Sequence, residues 1–170
     1  MKKLLAILVL VLACNTSYSQ LKKITWMDDS TLTPKFNEIF QDYMYYLLDS
    51  FRVVNRLKPL KVDSTLEEIA LQHSKYQDYE DKLTHYEKNR NNPHYTAINC
   101  YERGSDGENC VTGPKCIPCP ELMAVLFFKS WLSSDGHRKN MLNNTYTHCG
   151  VAIYDNYATL NFKVSYNNQK

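Results

Sequence analysis

The chain has 170 residues, of which 44% are hydrophobic and 22% are charged. This length and composition are typical of one globular domain, and they exclude a disordered protein or a long coiled coil. The formal net charge of +2 falls to zero once Lys2 and Lys3 leave with the leader described below. A balanced charge gives no electrostatic reason to expect nucleic acid or an anionic membrane as a partner.

The N-terminus has the pattern of a secretory signal peptide. Two lysines precede an apolar run at 4–13, and small and polar residues follow. The run is too short to cross a bilayer. We therefore predict a signal peptide at 1–19, a loose arm at 20–33 and a secreted, extracytoplasmic protein. The alternative is a lipobox in which Cys14 is acylated, and only then do we expect attachment to a membrane.

Cleavage of this leader would leave five cysteines in a compartment where disulfides form. They are Cys100, Cys110, Cys116, Cys119 and Cys149. An odd number allows at most two bridges, and the sequence does not choose the pairing. The spacing at 116–119 is also that of a redox pair or of half a zinc site, but no thioredoxin-like βαβ pattern and no second Cys-x-x-Cys accompanies it. We therefore predict structural disulfides.

Two helices are predicted in the first half of the mature chain. Apolar side chains recur at three- and four-residue steps over 34–54, and this stripe predicts a helix that ends near 55–56. Ser64, followed three residues later by Glu67, has the form of a capping box and predicts the start of the second helix.

The second half begins with a segment, 81–118, that is rich in turn-forming residues. Short strands and disulfides are predicted within it, because a structureless loop of this length is uncommon in a compact domain. Pro120 is suited to the first turn of a third helix. Ser134 is predicted to cap a short fourth helix that runs to Leu142.

The C-terminal pattern predicts a β-hairpin. Its strands are predicted at 150–154 and 157–166, with a two-residue turn at 155–156. In the second strand apolar and polar residues alternate, which predicts one buried and one solvated face. The residues predicted to face water are Thr159, Asn161, Lys163 and Ser165.

Three residues in separate motifs could do chemistry together: His85, Glu108 and His137. Two neutral imidazoles with water or a carboxylate suit zinc, which commonly takes nitrogen ligands in a four-coordinate site. His137 would lie in the first turn of the helix capped by Ser134, where the helix dipole disfavours the imidazolium form. We therefore predict a divalent-metal site on these three residues. The alternative is that they only hydrogen-bond and hold the long loop to the helices.

Five segments of the chain contain motifs that also occur, in the same order, in a known protein family. They are 47–52, 59–74, Gly107-Glu108-Asn109, 131–142 and 149–153. Together these segments resemble the CAP superfamily, which contains the cysteine-rich secretory proteins, the antigen 5 venom allergens and the plant pathogenesis-related proteins. The similarity spans about residues 36–166, and its form is that of the short bacterial members.

The resemblance implies an α+β fold, namely an α-β-α sandwich with a small central antiparallel sheet and a central cleft, in a domain at 34–167. In many members two histidines and two acidic residues meet in the cleft and can hold a divalent metal, often zinc. Carried over position by position, His85 and His137 match the histidines and Glu108 matches the first acid. The second acid would fall at Ser134, which departs from the full set.

We therefore predict a secreted, non-catalytic binding module, with zinc as the expected metal and no organic cofactor. The resemblance implies a lipid, sterol, protein or cell-envelope ligand in the cleft. One alternative is a metal-dependent hydrolase in which zinc on the two histidines activates water and Glu108 acts as general base. Another is a thiol oxidoreductase that uses Cys116 and Cys119.

Overall fold

The computed structural model describes most of the chain after residue 33. The described residues are 34–88, 98–115, 117 and 119–165, and they fall within the unit Leu32–Lys170. The predicted signal peptide and arm lie outside the described residues, as do Cys14, Cys116 and the end of the predicted last strand at 166. Among the helices that are described, none combines the length and the apolar character needed to cross a membrane.

Within these residues the chain forms four helices and four strands. The helices are α1 (Pro34–Val54), α2 (Ser64–Tyr79), α3 (Pro120–Ser133) and α4 (Asp135–Met141). The strands are β1 (Lys61–Val62), β2 (Gly107–Thr112), β3 (His148–Tyr154) and β4 (Tyr157–Lys163). They form one sheet in the order β1-β3-β4-β2. The sheet is antiparallel except for β1, which pairs with β3 in parallel.

Helices cover both faces of the sheet. On one face, Leu160 belongs to a core that also holds Phe40 of α1 and Trp131 of α3. On the other face lies α2, where the Ser74 hydroxyl is 3.1 Å from the Thr159 hydroxyl. The arrangement is an α-β-α sandwich, so the predicted α+β fold is confirmed.

Both faces of β4 are buried as far as Phe162, which corrects the predicted solvated face, whereas Lys163 and, after the strand, Ser165 are exposed as predicted. Thr159 and Asn161 are 0% exposed because α2 packs over this side of the sheet. The amide of Gln77 on α2 donates to the Thr159 hydroxyl over 3.2 Å. Alternation therefore predicted the polarity of this face correctly but not its exposure, since Thr159 pairs with a helix instead of with water.

The start of α2 also differs from its prediction. Asp63, in extended conformation with φ −126° and ψ 115°, is the N-cap residue, and its side chain accepts hydrogen bonds from two first-turn amides. The capping box at Ser64 and Glu67 is therefore wrong, because an acceptor one residue earlier satisfies these amides. Glu67 turns instead toward α1, where it accepts a hydrogen bond of 2.7 Å from the Tyr45 hydroxyl.

Arg52 fixes the end of α1 to the chain that follows α4. Its side chain is 2% exposed and donates to the carbonyl oxygens of Lys58, Met141 and Asn143 over 2.8, 2.8 and 3.0 Å. A guanidinium can satisfy several carbonyls at once because its donors form a rigid fork. This contact sets the position of α4 relative to α1.

Three buried cysteines form no disulfide, which corrects the prediction for them. They are the free thiols Cys100, Cys110 and Cys149. Cys110 lies opposite Thr159 and Cys149 lies opposite Phe162 in the strand register. Positions 159 and 162 are an odd number of residues apart, so the two thiols point to opposite faces of the sheet. The fold itself keeps this pair apart.

Candidate functional site

Glu108 is the centre of the candidate site. It lies on β2 opposite Asn161 of β4, and its side chain is 1% exposed. Its Oε1 atom is 3.0 Å from Nδ1 of His85, and its Oε2 atom accepts a hydrogen bond from Nη2 of Arg103. Both oxygens of this buried carboxylate therefore have partners.

The two predicted histidines lie side by side. The ring centroids of His85 and His137 are 6.3 Å apart, with a tilt of 56° between the planes. The His85 side chain is 50% exposed, whereas Nδ1 of His137 is buried and has no hydrogen-bond partner among the described residues. The structure therefore brings the predicted residues together: His85 contacts Glu108 and neighbours His137.

The strand that carries Glu108 also holds α4 in place. Asn109 donates from Nδ2 to the carbonyl oxygen of His137 over 3.0 Å. Asn140 donates from Nδ2 to the Asn109 side-chain oxygen over 2.9 Å and to the Glu108 carbonyl over 3.1 Å. Ser134 precedes α4 as predicted but makes no side-chain cap bond, so contacts with β2 fix the start of this helix.

The surroundings shift two pKa values in the site. Burial raises the pKa of Glu108, but the hydrogen bond from His85 and the charges of His73 and Arg103 outweigh it, so the pKa lies below its ordinary value of 4.5. Burial, and then the neighbouring His85, lower the pKa of His137 below 6.5. At neutral pH the site therefore combines a carboxylate with a neutral His137 ring.

Three further titratable residues lie around Glu108, and the sequence did not predict them as part of the site. His73 of α2 is 0% exposed and places Nδ1 2.7 Å from Oε1 of Glu87. Arg103 places Nη1 3.5 Å from the same Glu87 oxygen. We refer to His73, Glu87, Arg103 and Glu108 as the charge cluster.

These residues gave little signal in the sequence. A histidine on the inner face of an amphipathic helix is more often a structural residue than a ligand. Arg103 stands in a turn-rich segment whose path the sequence does not predict. The segment that carries Glu87 pairs with a later part of the chain through an isolated bridge between Glu87 and Ile98. Local sequence patterns do not predict such a pairing.

A second set of potential metal ligands overlaps the first. Ligand atoms of His73, Glu108 and Cys110 all lie within 4.8 Å of one another, so this buried group could hold a metal ion. Neither His73 nor Cys110 was predicted as a ligand. Burial raises the pKa of the Cys110 thiol well above 9.0, and Nε2 of His73 is already 2.8 Å from the Thr84 carbonyl oxygen. His85 and His137 are therefore the more available donors.

The donor set at His85 and His137 fits a divalent metal such as zinc. Imidazole nitrogens are common zinc ligands, and the buried Nδ1 of His137 has no partner among the described residues. A histidine that binds a metal usually donates a hydrogen bond from its other ring nitrogen to a carboxylate or a carbonyl. Glu108 is placed to accept such a hydrogen bond from His85.

Comparisons with known proteins agree with this fold. The uncharacterized protein YkwD of Bacillus subtilis (strain 168) is 31% identical over 130 residues, which cover 74% of this chain and 47% of that protein. An extracellular SCP-domain protein from Bacillus anthracis str. Ames has a similar structure, with a TM-score of 0.63 and 26% identity over 79% of this chain and 44% of that one. The chain therefore spans less than half of either protein.

A more distant structure shares the fold alone. NaASP2, solved with Zn²⁺, has a TM-score of 0.50 and 13% identity, and the likeness covers 81% of this chain and 83% of that chain. A family model described as the cysteine-rich secretory protein family, CAP, matches residues 45–166. This match takes in α2, the whole sheet, α3, α4 and all three residues of the candidate site. The chain belongs to the CAP family.

Proposed function

We propose that this chain is an exported CAP protein that binds a ligand at His85 and His137 through a divalent cation and does not turn it over. The observation that carries the proposal is Nδ1 of His137, which is buried without a hydrogen-bond partner among the described residues. A buried polar atom without a hydrogen-bond partner lowers the stability of the fold unless water, an ion or a ligand binds to it. A cation held between His137 and His85, whose ring centroids are 6.3 Å apart, would supply the missing partner.

Zinc is the metal that the donors favour. Its bonds to histidine nitrogen are about 2.0–2.1 Å long, and the lowered pKa of His137 keeps that ring neutral and able to bind. NaASP2, which shares the fold, was solved with Zn²⁺. His85 and His137 would hold the ion, and Glu108 would hold His85. When bound, the ion would supply Lewis acidity that attracts an oxygen atom of a ligand.

The surroundings of Glu108 support binding over hydrolysis. A general base must reach the proton that it removes, but the Glu108 side chain is 1% exposed and its two oxygens are engaged by His85 and Arg103. Ser134 stands where the resemblance would place a second acid. The site thus offers a metal anchor without an available base.

Other observations support the proposed class of ligand and the proposed export of the protein. Leu83 and Tyr86, on either side of His85 in the sequence, are 45% and 55% exposed, which favours a ligand with apolar surface among the lipid, sterol, protein and cell-envelope classes. The leader at 1–19 and the similar extracellular protein of Bacillus anthracis support export. Acylation of Cys14 would add attachment to a membrane.

Zinc titration by calorimetry tests the proposal, on the chain from Gln20 onward. We expect about one equivalent of zinc to bind to the wild type, and His85→Ala and His137→Ala each to weaken binding at least ~10-fold. His148→Ala is the matched control, because His148 lies at the start of β3, where Nδ1 is 2.8 Å from the Thr147 hydroxyl. This variant should bind zinc like the wild type.

Two results would overturn the proposal. If the wild type binds no zinc, the three residues are structural, and lipids and envelope components should be tested as direct ligands. If the zinc-loaded protein cleaves peptides or nucleic acids and Glu108→Gln abolishes the cleavage, the protein is a hydrolase with Glu108 as its base.

A further inference from the structure

The charge cluster contains Glu108, the carboxylate that contacts His85. His73 and Arg103 are 0% and 10% exposed, and Glu87 and Glu108 are 21% and 1% exposed. A buried charge is tolerated only when it is paired and hydrogen-bonded. Both carboxylates have His73 and Arg103 as neighbours within 3.7 Å. Each carboxylate therefore has basic partners other than His85.

Within the cluster the His73 ring has an oxygen partner at each nitrogen. Its Nε2 is 2.8 Å from the carbonyl oxygen of Thr84 and its Nδ1 is 2.7 Å from a carboxylate oxygen of Glu87. The ring is therefore held between the backbone that precedes His85 and the Glu87 side chain. Its Nε2 also lies 3.7 Å from Oε1 of Glu108.

His73 also fixes the backbone that carries His85. The carbonyl oxygen bonded to Nε2 of His73 belongs to Thr84, the residue directly before His85. The His85 ring is then held by Oε1 of Glu108 over 3.0 Å, while Arg103 holds the opposite oxygen, Oε2. Backbone and ring of a half-exposed histidine are thus both tied to buried groups.

We propose that His73 and Arg103 are positioning residues for His85: His73 acts through the Thr84 backbone and Arg103 acts through Glu108. By holding the backbone before His85 and the carboxylate beside it, they fix His85 as the tautomer protonated on Nδ1. Nε2 is then the His85 nitrogen that keeps a lone pair, and it is the one available to a cation. The role toward the cation rests on the proposed function, whereas the tautomer is a property of the metal-free protein.

NMR of the histidine ring nitrogens in the metal-free protein tests the tautomer directly. We expect His85 to be protonated on Nδ1 in the wild type. In Arg103→Gln the Glu108 carboxylate loses the donor to Oε2, so His85 should partly shift to the Nε2-protonated form that imidazole prefers in water. Arg103→Lys, which keeps the charge, should restore the wild-type form in part. A purely structural Arg103 would change stability but leave the tautomer unaltered.

Zinc affinity provides the second readout. Loss of a residue that orients a metal ligand typically weakens metal binding about 10–100-fold, and we expect this loss in Arg103→Gln. The double variant Arg103→Gln, Glu108→Gln should bind no more weakly than Glu108→Gln alone, because Arg103 acts through Glu108. Lys88→Gln removes a comparable pair with Glu80 whose lysine is 76% exposed, and it should bind zinc like the wild type. Thermal melts show that each variant is folded.

The outcomes separate this inference from the proposed function. If the wild type binds no zinc but His85 has the Nδ1-protonated form and loses it in Arg103→Gln, the positioning role stands and the metal proposal fails. If zinc binds but wild-type His85 is protonated on Nε2, the positioning role is overturned and the metal proposal stands. An Arg103→Gln variant with the wild-type tautomer and wild-type affinity also overturns it.

Discussion

Asn109 donates a hydrogen bond from Nδ2 to the main-chain carbonyl oxygen of His137 over 3.0 Å. Its neighbour on β2 is Glu108, so adjacent residues of one strand hold the carboxylate of the site and the helix turn that carries the second histidine. The buried strand therefore fixes Glu108 and His137, whereas His85 lies in the segment after α2 and is joined to the strand through Glu108. Sites supported by regular structure keep their geometry more precisely than sites on loops.

The first prediction concerns this strand-to-helix contact. Asn109→Ala removes a side chain that is 0% exposed. The Asn140 amide then keeps only the Glu108 carbonyl as an acceptor, and the His137 carbonyl loses its donor from Asn109. We expect the free energy of unfolding to fall by about 1–3 kcal/mol, and zinc affinity to fall with it because α4 is less firmly held. Urea denaturation and calorimetry measure the two effects. Asn144→Ala, at an exposed position, is the control, and equal behaviour of the two variants would contradict the prediction.

The second prediction concerns the contact between the sheet and α2. A Cβ atom at Gly150 would lie 2.3 Å from the backbone nitrogen of Glu67 and 2.5 Å from the backbone carbon of Leu66. Backbone cannot move aside as a flexible side chain can, so Gly150→Ala should lower the free energy of unfolding by about 3 kcal/mol. Thermal and urea unfolding measure this change.

Gly136 offers a matched control for that substitution. A Cβ atom there would meet nothing within 4 Å, and the position lies in α4, where alanine is favoured over glycine by about 0.5–1 kcal/mol. We expect Gly136→Ala to be as stable as the wild type or more stable. A Gly150→Ala variant that unfolds like Gly136→Ala would show that α2 does not pack as closely as described.

The third prediction concerns the thiols. Burial raises the pKa of Cys100 to about 11 and that of Cys149 to about 12, and Cys110 is buried as well. We expect these three to resist a thiol reagent in the native protein and to react once it is unfolded without reductant. Mass spectrometry of the labelled peptides reads each site separately. Failure of Cys100, Cys110 or Cys149 to react after unfolding would restore the disulfide prediction.

The fourth prediction concerns pH. Because the pKa of His137 in the folded, metal-free protein lies below 6.5, owing first to burial and then to His85, the unfolded chain takes up a proton at higher pH than the folded chain. Above pH 6.5 the folded protein keeps all of the stability associated with a neutral His137 ring. This stability is lost as pH falls through the lower pKa that His137 has in the folded protein. With chelator present, the free energy of unfolding should fall as pH decreases below 6.5. His137→Gln should show a shallower fall, and an unchanged slope would contradict the prediction.

Local periodicity predicted the helices well because their buried residues recur along one face. Phe40, Met44 and Leu48 of α1 are each 0% exposed at a spacing of four, and α1 ends at Val54, next to the predicted boundary. The hairpin was also predicted from a local pattern: β3 ends at Tyr154 and β4 begins at Tyr157 as expected, whereas β3 begins before and β4 ends before the expected residue. These features depend on neighbours in the sequence.

What the sequence did not predict depends on distant contacts. The burial of Thr159 follows from the docking of α2, to which Ser74 and Gln77 belong. The partners of Glu108 come from α2 and from a turn-rich segment whose path is non-local, so His73 and Arg103 gave no distinct signal. The separation of Cys110 and Cys149 likewise requires the strand order.

The place of the C-terminal hairpin in the sheet has a consequence for how the chain acquires its structure. β3 and β4 are the central strands, yet they follow all the other described helices and strands in the sequence. The Gln41 side chain of α1, for example, donates to the carbonyl of Val151, 110 residues later in the chain. Contacts between residues so far apart in sequence are slow to form, and the earlier helices have no complete sheet to pack on until the hairpin is present. We therefore expect α1 and α2 to reach their native packing only after the hairpin has formed.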